Sequence, residues 1–305
     1  MAHSHPHVHL PAGEDGLGRA FAWGAGLNIG FVLVEIGAGL LAGSLALLAD
    51  AGHNASDVLG LLLAWGAAAL ARSATSERRT YGFRRTTILA ALLNAVLLLI
   101  ALGGVAWEAV HRLMHPQPVA SGTVVWVALA GVAVNGFSAW LFHGRHHDLN
   151  ARGAYLHMLA DAGVSAGVVV SALALRFTGW LWLDPATSLL VGLIVAIGTW
   201  GLLRDALDLA LDAVPRNIDL AAVRGFLLGV PAVDGVHDLH VWGMSTSEAA
   251  LTAHLVVRAG GSPDAVLAAA SGGLRERFGI GHATLQVETG DCGGMPCHDA
   301  AVTAR

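Results

Sequence analysis

Six long apolar runs constrain the fold of this chain more than any other feature of its sequence. A helix needs roughly 20 apolar residues to cross the hydrocarbon core of a bilayer, and each run is long enough. Only 13% of the residues are charged, against roughly 25% in a typical soluble domain. Lipid is therefore the expected solvent for most of the chain. The expected spans cover residues 20–42, 45–70, 87–112, 122–143, 153–177 and 184–212.

Arginine is unevenly distributed between the expected loops. Loops rich in basic residues stay on the cytoplasmic side of a membrane, so six spans place both termini in the cytoplasm, at the inner membrane of a bacterium. The net charge of −5 gives no indication of nucleic-acid binding. The arginine-rich loops are those after the second and fourth spans, with Arg72, Arg78, Arg79, Arg84 and Arg85 in one and Arg145 and Arg152 in the other.

The sequence changes character after Pro215. Apolar residues with helical spacing, two stretches with strand-like alternation, a second helical stretch and a last strand predict the order α-β-β-α-β. Alternation in the first strand would place His237, Leu239 and Val241 on one face and His240 on the other. The fold class is thus an α-helical membrane protein of six transmembrane helices with a small cytoplasmic α+β domain. The expected segments are a histidine-rich tail (1–16), a transmembrane domain (17–214), the α+β domain (215–290) and a tail with cysteines (291–305).

Two of the expected spans carry the same pair of ionisable residues at the same spacing. His53 and Asp57 lie in the second span, and His157 and Asp161 lie in the fifth. Residues four apart share a helix face, so two such helices offer the two nitrogen and two oxygen ligands of a tetrahedral zinc site. A single motif of this kind is commonly an interhelical hydrogen bond. Two copies at membrane depth, where ionisable groups are costly, favour a metal site.

Further polar residues in the first two spans are assigned accessory roles. Asp50 falls on the same helix face as His53 and Asp57, and we favour a helix-capping role over a role as an entry ligand. Glu35 is explained by interhelical hydrogen bonding, with a place on a proton or ion path as the alternative. His143, His146 and His147 follow the fourth span and could collect ions near the cytoplasmic mouth.

The ligand types also suggest a transport mechanism. Metal binding requires neutral imidazole and ionised carboxylate, so metal and protons compete for the same groups. A site that opens alternately to the two sides would exchange a metal ion for protons. An intramembrane metalloprotease is disfavoured because no His-Glu-x-x-His string occurs. A membrane-anchored metal sensor or storage protein without transport remains the alternative.

The chain resembles the cation diffusion facilitators over nearly its whole length. This resemblance implies a homodimeric exporter of zinc with a ferredoxin-like cytoplasmic domain, driven by proton antiport. It assigns the transport site to His53, Asp57, His157 and Asp161. It also implies that the protein is not an enzyme. The motifs that carry it are SLALLADAGHNASD (44–57), YGFRRTTILAALLN (81–94), DLNARGAYLHMLAD (148–161), VHDLHVW (236–242) and HATLQVE (282–288).

The resemblance also implies additional metal sites in the cytoplasmic domain. The corresponding positions are His240, His254 and Glu288, which lie on the three expected strands. Cys292 and Cys297 follow them and are expected to bind metal or to remain free thiols in a reducing cytoplasm. His237 is expected to have only a surface or core role. Zinc is thus the expected substrate and a possible bound ion of the cytoplasmic domain.

Overall fold

The computed structural model describes residues 14–142 and 149–288, with side chains described for 26–140 and 155–288. Within these ranges the chain forms eight helices and three strands. The helices in the first part are α1 (Glu14–Ala42), α2 (Leu45–Ala71), α3 (Thr86–Met114), α4 (Ser121–Phe142), α5 (Leu149–Thr178) and α6 (Leu183–Ala210). The remaining elements are α7 (Leu220–Leu228), β1 (Val233–Gly243), β2 (Ala249–Val257), α8 (Pro263–Phe278) and β3 (His282–Glu288).

Five of the described helices, α2 to α6, are long and apolar enough to cross a membrane. The described apolar part of α1, Gly26–Ala42, is shorter. Many large apolar side chains on these helices are exposed, for example Leu41 and Trp107, as expected where the solvent is lipid. Together with the strands that follow, these helices confirm the predicted fold class.

The described chain divides into two compact units. One comprises Met1–Leu62 and Asn94–Trp200, and the other comprises Leu63–Leu93 and Gly201–Arg305. The interior of the first unit is built largely from small and β-branched residues of α2 to α6, which allow helices to approach closely. Its buried core includes Ala46, Ala49, Ala128, Val168 and Val191.

The start of α2 is fixed by an acidic residue that is distant in sequence. Asp184, at the beginning of α6, accepts hydrogen bonds from Ser44 Oγ (2.5 Å) and from the backbone nitrogen of Leu45 (2.8 Å). Ser44 Oγ in turn accepts from Leu47 N at 3.2 Å. The first backbone N–H groups of a helix have no partner within it, so Ser44 and Asp184 together cap α2. This contact sets the start of the helix that carries His53 and Asp57.

In the second unit, three strands form a sheet in the order β1-β2-β3. β1 and β2 are antiparallel, whereas β2 and β3 are parallel and are connected through α8. Leu251 and Leu255 of β2 are fully buried together with Val223 and Leu227 of α7 and Leu274 of α8. Helices therefore cover one face of the sheet, which is the predicted two-layer α-β-β-α-β arrangement.

A β-bulge in β1 changes the predicted alternation of its side chains. His237 pairs with His254, but His240 pairs with Thr252, so β1 contains one extra residue between the two histidines. Asp238 has a positive φ of 50°, a left-handed conformation that Asp tolerates better than most residues. The bulge separates His237 from the buried face, to which Leu239 and Val241 belong. The predicted placement of these three residues on one face is therefore wrong.

Candidate metal centres

The four side chains of the paired His-x-x-x-Asp motifs meet between α2 and α5. His53 Nε2 lies 3.3 Å from Asp161 Oδ1, and His157 Nε2 lies 3.1 Å from Asp57 Oδ2. Within each helix the imidazole also faces its own carboxylate, at 3.8 Å on α2 and 3.6 Å on α5. Each imidazole thus points the same nitrogen towards both carboxylates. The two rings stand edge to face, with centroids 6.0 Å apart.

These separations suit one small ion between the four groups. Zinc ligands lie about 2.0–2.2 Å from the metal, so a tetrahedral site spaces its ligands roughly 3.3–3.6 Å apart. The four nitrogen–oxygen distances, 3.1 to 3.8 Å, bracket this range. Ligand atoms of His53, Asp57 and Asp161 also lie within 4.8 Å of one another. The donor set, two imidazoles and two carboxylates, is one that zinc accepts.

Exposure is graded across this cluster. The side chain of Asp161 is only 3% exposed, whereas that of His157 is 43% exposed. Asp161 Oδ2 is buried without a hydrogen-bond partner among the described residues. Its 3.6 Å separation from His157 Nε2 is too long for a hydrogen bond, and a buried carboxylate oxygen without one is costly. A bound dication would satisfy this oxygen. The cluster is therefore closed around Asp161 and open beside His157.

Asp50 and Glu35 lie close to this cluster but have other partners. Asp50 is fully buried and its Oδ2 accepts from Ser165 Oγ at 2.8 Å. Because Ser44 and Asp184 cap α2, the interpretation of Asp50 as a helix cap is wrong. Glu35 is also fully buried and accepts from Asn54 Nδ2 at 3.2 Å, which is the expected interhelical hydrogen bond.

A second cluster lies on the three-stranded sheet. Glu288 of β3 contacts two imidazoles, at 3.0 Å from His237 Nε2 and 2.8 Å from His254 Nδ1. The ring centroids of the two histidines are 4.9 Å apart. The hydrogen bond from His237, followed by that from His254, lowers the pKa of the Glu288 carboxyl below its ordinary value. Three ligand atoms, one from each residue, lie within 4.8 Å of one another.

The composition of this second cluster differs from the sequence prediction in one residue. His254 and Glu288 belong to it as predicted, but His240 does not. The exposed His240 instead contacts Asp238, with Nε2 and Oδ1 3.0 Å apart, and this hydrogen bond lowers the pKa of Asp238. His237 takes the third position because of the bulge at Asp238. Sequence alternation gave no signal for His237, since a single extra residue reverses the face of a side chain.

Comparison with known proteins identifies the family of the chain. The family model for the cation efflux transmembrane domain matches residues 23–209, and the model for the cation efflux protein cytoplasmic domain matches residues 215–290. The chain belongs to the cation efflux family. This confirms the predicted family and excludes the metalloprotease alternative, because the members are transporters and not enzymes. As a cation efflux protein the chain is an integral membrane protein.

Several relatives of this cation efflux protein match over most of their length. The zinc transporter ZitB of Escherichia coli is 40% identical over 98% of this chain and 96% of its own. The cation efflux system protein CzcD of Cupriavidus metallidurans is 37% identical over 96% and 92%. The cadmium, cobalt and zinc/H⁺-K⁺ antiporter of Bacillus subtilis is 32% identical over 85% of both chains. A solved metal-bound C-terminal domain of a CzcD transporter is 38% identical, covering 23% of this chain and 99% of its own, with a TM-score of 0.23.

Several sequence predictions for this cation efflux protein fall outside the described residues. These are the metal-binding roles of Cys292 and Cys297, the ion-collecting role of His143, His146 and His147, and the two tails at 1–16 and 291–305.

Proposed function

We propose that this cation efflux protein exports Zn²⁺ from the cytoplasm in exchange for protons, through a tetrahedral site formed by His53, Asp57, His157 and Asp161. The observation that carries the proposal is the crossed pairing of the two motifs, in which each imidazole meets the carboxylate of the other helix at 3.1 or 3.3 Å. Two helices that each contribute half of a site can separate on either side, so the ligands can be exposed alternately.

The ligand chemistry supports coupling to protons. Zinc requires all four groups deprotonated, whereas without metal the same groups can take up protons. A proton gradient across the membrane would then load protons and displace the metal on the acidic side, and the site would release the protons and bind metal on the other side. Relatives named as zinc transporters support zinc as the substrate. Magnesium prefers octahedral oxygen ligands, so this site should reject it.

The arrangement in the membrane is part of the proposal. The arginine-rich segment 72–85 between α2 and α3 supports a cytoplasmic position for those helix ends by the positive-inside rule, and with it a cytoplasmic position for both termini. The relatives named above are bacterial, which supports the bacterial inner membrane. We assign residues 17–214 to the membrane domain and 215–290 to a cytoplasmic domain through which two copies form a homodimer, as the match to the family's cytoplasmic domain supports.

A second metal site in the cytoplasmic domain is supported by the cluster of His237, His254 and Glu288. Two imidazoles and a carboxylate are the protein ligands of several zinc sites that retain an open position. This cluster also gives the sensor alternative its only structural support among the described residues, because metal sensing would need this site and not the one between α2 and α5.

Uptake into proteoliposomes separates these functions. Vesicles with an acidic lumen should accumulate Zn²⁺ as protons leave, and an ionophore that abolishes the pH gradient should abolish the accumulation. Mg²⁺ should not accumulate under the same conditions. Zinc binding without any flux would support a sensor and contradict the transport proposal. Comparison with Cd²⁺, Co²⁺ and Mn²⁺ then defines the range of ions transported.

A further inference from the structure

Two imidazoles are stacked at the C-terminal end of α3, well away from either cluster in sequence. His111 and His115 are four residues apart, with ring centroids 4.8 Å apart and ring planes inclined by only 27°. The backbone nitrogen of His115 donates to His111 O at 2.9 Å, so the helical hydrogen bonding continues through this turn. Both side chains are exposed. The pair thus lies at the last turn of α3, with His115 directly after the last helical residue, and is open to solvent.

The neighbouring charges leave the two imidazoles available. Glu108 and Arg112 are the ionisable neighbours on this part of α3, and they pair with each other at 2.8 Å. Arg112 also donates from Nη1 to Gly43 O at 2.6 Å, which ties its guanidinium to the turn between α1 and α2. The guanidinium on this turn is therefore paired with a carboxylate and held in place, which reduces its repulsion of a cation.

Histidines four residues apart on one helix face are a known geometry for binding a transition metal. Imidazole suits Zn²⁺, Cu²⁺ and Ni²⁺, whereas Mg²⁺ and Ca²⁺ prefer oxygen ligands. His111 lies in the last turn of α3 and His115 follows its last residue, and the backbone hydrogen bond between them fixes their spacing for a dication. The pair contributes no carboxylate of its own. It should therefore bind more weakly than the site between α2 and α5 and exchange its ion readily.

We propose that His111 and His115 form a further binding site for a transition-metal dication at the end of α3. Since α3 begins directly after the arginine-rich segment and crosses the membrane, its other end lies on the opposite side. The side of the membrane that the pair faces rests on the proposed function, in which this is the side where the ion is released. Binding to the two imidazoles does not depend on that function.

Electron paramagnetic resonance of the Cu²⁺–iminodiacetate complex tests the site in the full-length protein. Iminodiacetate occupies most of the copper coordination positions, so the complex selects pairs of histidines and not sites with four ligands. His111→Gln and His115→Gln should each reduce the bound copper by about one ion per chain, and the double variant should lose no more than either single one. Excess Zn²⁺ should displace the same ion from the wild type.

Other histidines give a background that is common to all variants, including the N-terminal tail and the pair His143 and His147. His282→Gln, which removes an exposed histidine in β3, serves as the matched control and should leave the copper count unchanged. Equal copper binding by the wild type and His115→Gln would overturn the proposal. A protein that binds this copper but shows no zinc flux would contradict the proposed function and leave this site standing.

Discussion

At the scale of single residues, His237 and His240 show that two histidines three positions apart can have different roles. Both lie on β1 in the same short motif, yet only His237 reaches Glu288. Removing one ligand of a metal site lowers its affinity for the metal steeply, whereas removing His240, which pairs with Asp238, leaves the three ligands in place. The identity of the third ligand is therefore open to a direct comparison.

We expect His237→Ala to lose zinc binding at the cytoplasmic cluster and His240→Ala to retain it. The measurement is isothermal titration of the purified full-length protein with Zn²⁺, carried out in an Asp57→Asn background to reduce binding at the other cluster. Loss of the same binding step in His240→Ala alone would show that the bulge does not define the ligand set.

The same cluster predicts a dependence on pH. The pKa of Glu288 lies below its ordinary value of 4.5, so its pairing stabilises the fold above pH 4.5 and is lost as the pH falls through the lowered pKa. Protons compete with the metal for the three ligands, so the zinc affinity of the cluster should fall as the pH is lowered. The domain should stay folded until the pH falls through the lowered pKa of Glu288. Zinc titrations at several pH values, followed in parallel by circular dichroism, test this. Unfolding before zinc release would contradict it.

What the sequence could predict for single residues depended on regular spacing. The four residues of the motifs on α2 and α5 were predicted to converge because helical periodicity was uninterrupted there, and the structure brings them together. His237 was missed because the alternation of a strand was interrupted. Asp238 adopts a positive φ, and the presence of an aspartate does not by itself predict that conformation.

At the scale of elements, the start of α2 depends on a residue 140 positions away in sequence. Asp184 is buried and accepts from both the side chain of Ser44 and the backbone of Leu45. Hydropathy located the helices because five of them are long and apolar and α1 contains a shorter apolar stretch. It could not predict this cap, since the partners come together only through tertiary packing.

Asp184→Ala should lower the stability of the protein by about 0.5–2 kcal/mol, the range for loss of a helix cap. Ser44 would keep part of the cap, but the N–H of Leu45 would lose its acceptor. Thermal unfolding in detergent measures the effect. Asp205→Ala on the same helix is the control, because the partly exposed Asp205 forms an ion pair with the exposed Arg216. Exposed ion pairs contribute little stability, so this substitution should change the unfolding temperature less. Equal shifts would argue against a capping role.

Packing between α7 and α8 gives a second prediction at this scale. A Cβ atom added at Gly273 would overlap the ring of Phe226, which is itself packed against Phe278 and below Arg277. Overpacking of this kind costs about 1–3 kcal/mol. Gly273→Ala should therefore destabilise the cytoplasmic domain.

The adjacent Gly272 supplies the control for this prediction. A Cβ there would meet nothing within 4 Å, so Gly272→Ala should stabilise the helix by about 0.5–1 kcal/mol through its better helix propensity. The midpoints of chemical denaturation of the two variants should shift in opposite directions from that of the wild type. Destabilisation by both substitutions would show that the contact with Phe226 is not the cause.

At the scale of the whole molecule, the two clusters belong to different units of the fold. One lies between α2 and α5 in helices suited to a bilayer, and the other lies on the sheet after α6. Low charge and long apolar runs were enough to predict the membrane class, and the change in periodicity after Pro215 was enough to predict a second domain. The direction of transport and the coupled ion are not properties of the fold, so they require measurement of flux.

Zinc flux through variants of the transport site tests the central claim most directly. Purified wild-type protein, His157→Ala and Asp161→Ala would be reconstituted at equal density into vesicles with an acidic lumen, with His282→Ala as the control. The account predicts wild-type uptake of Zn²⁺ by the control and no uptake above protein-free vesicles by the other two variants, although both reach the membrane folded. Uptake at the wild-type rate by His157→Ala would contradict it.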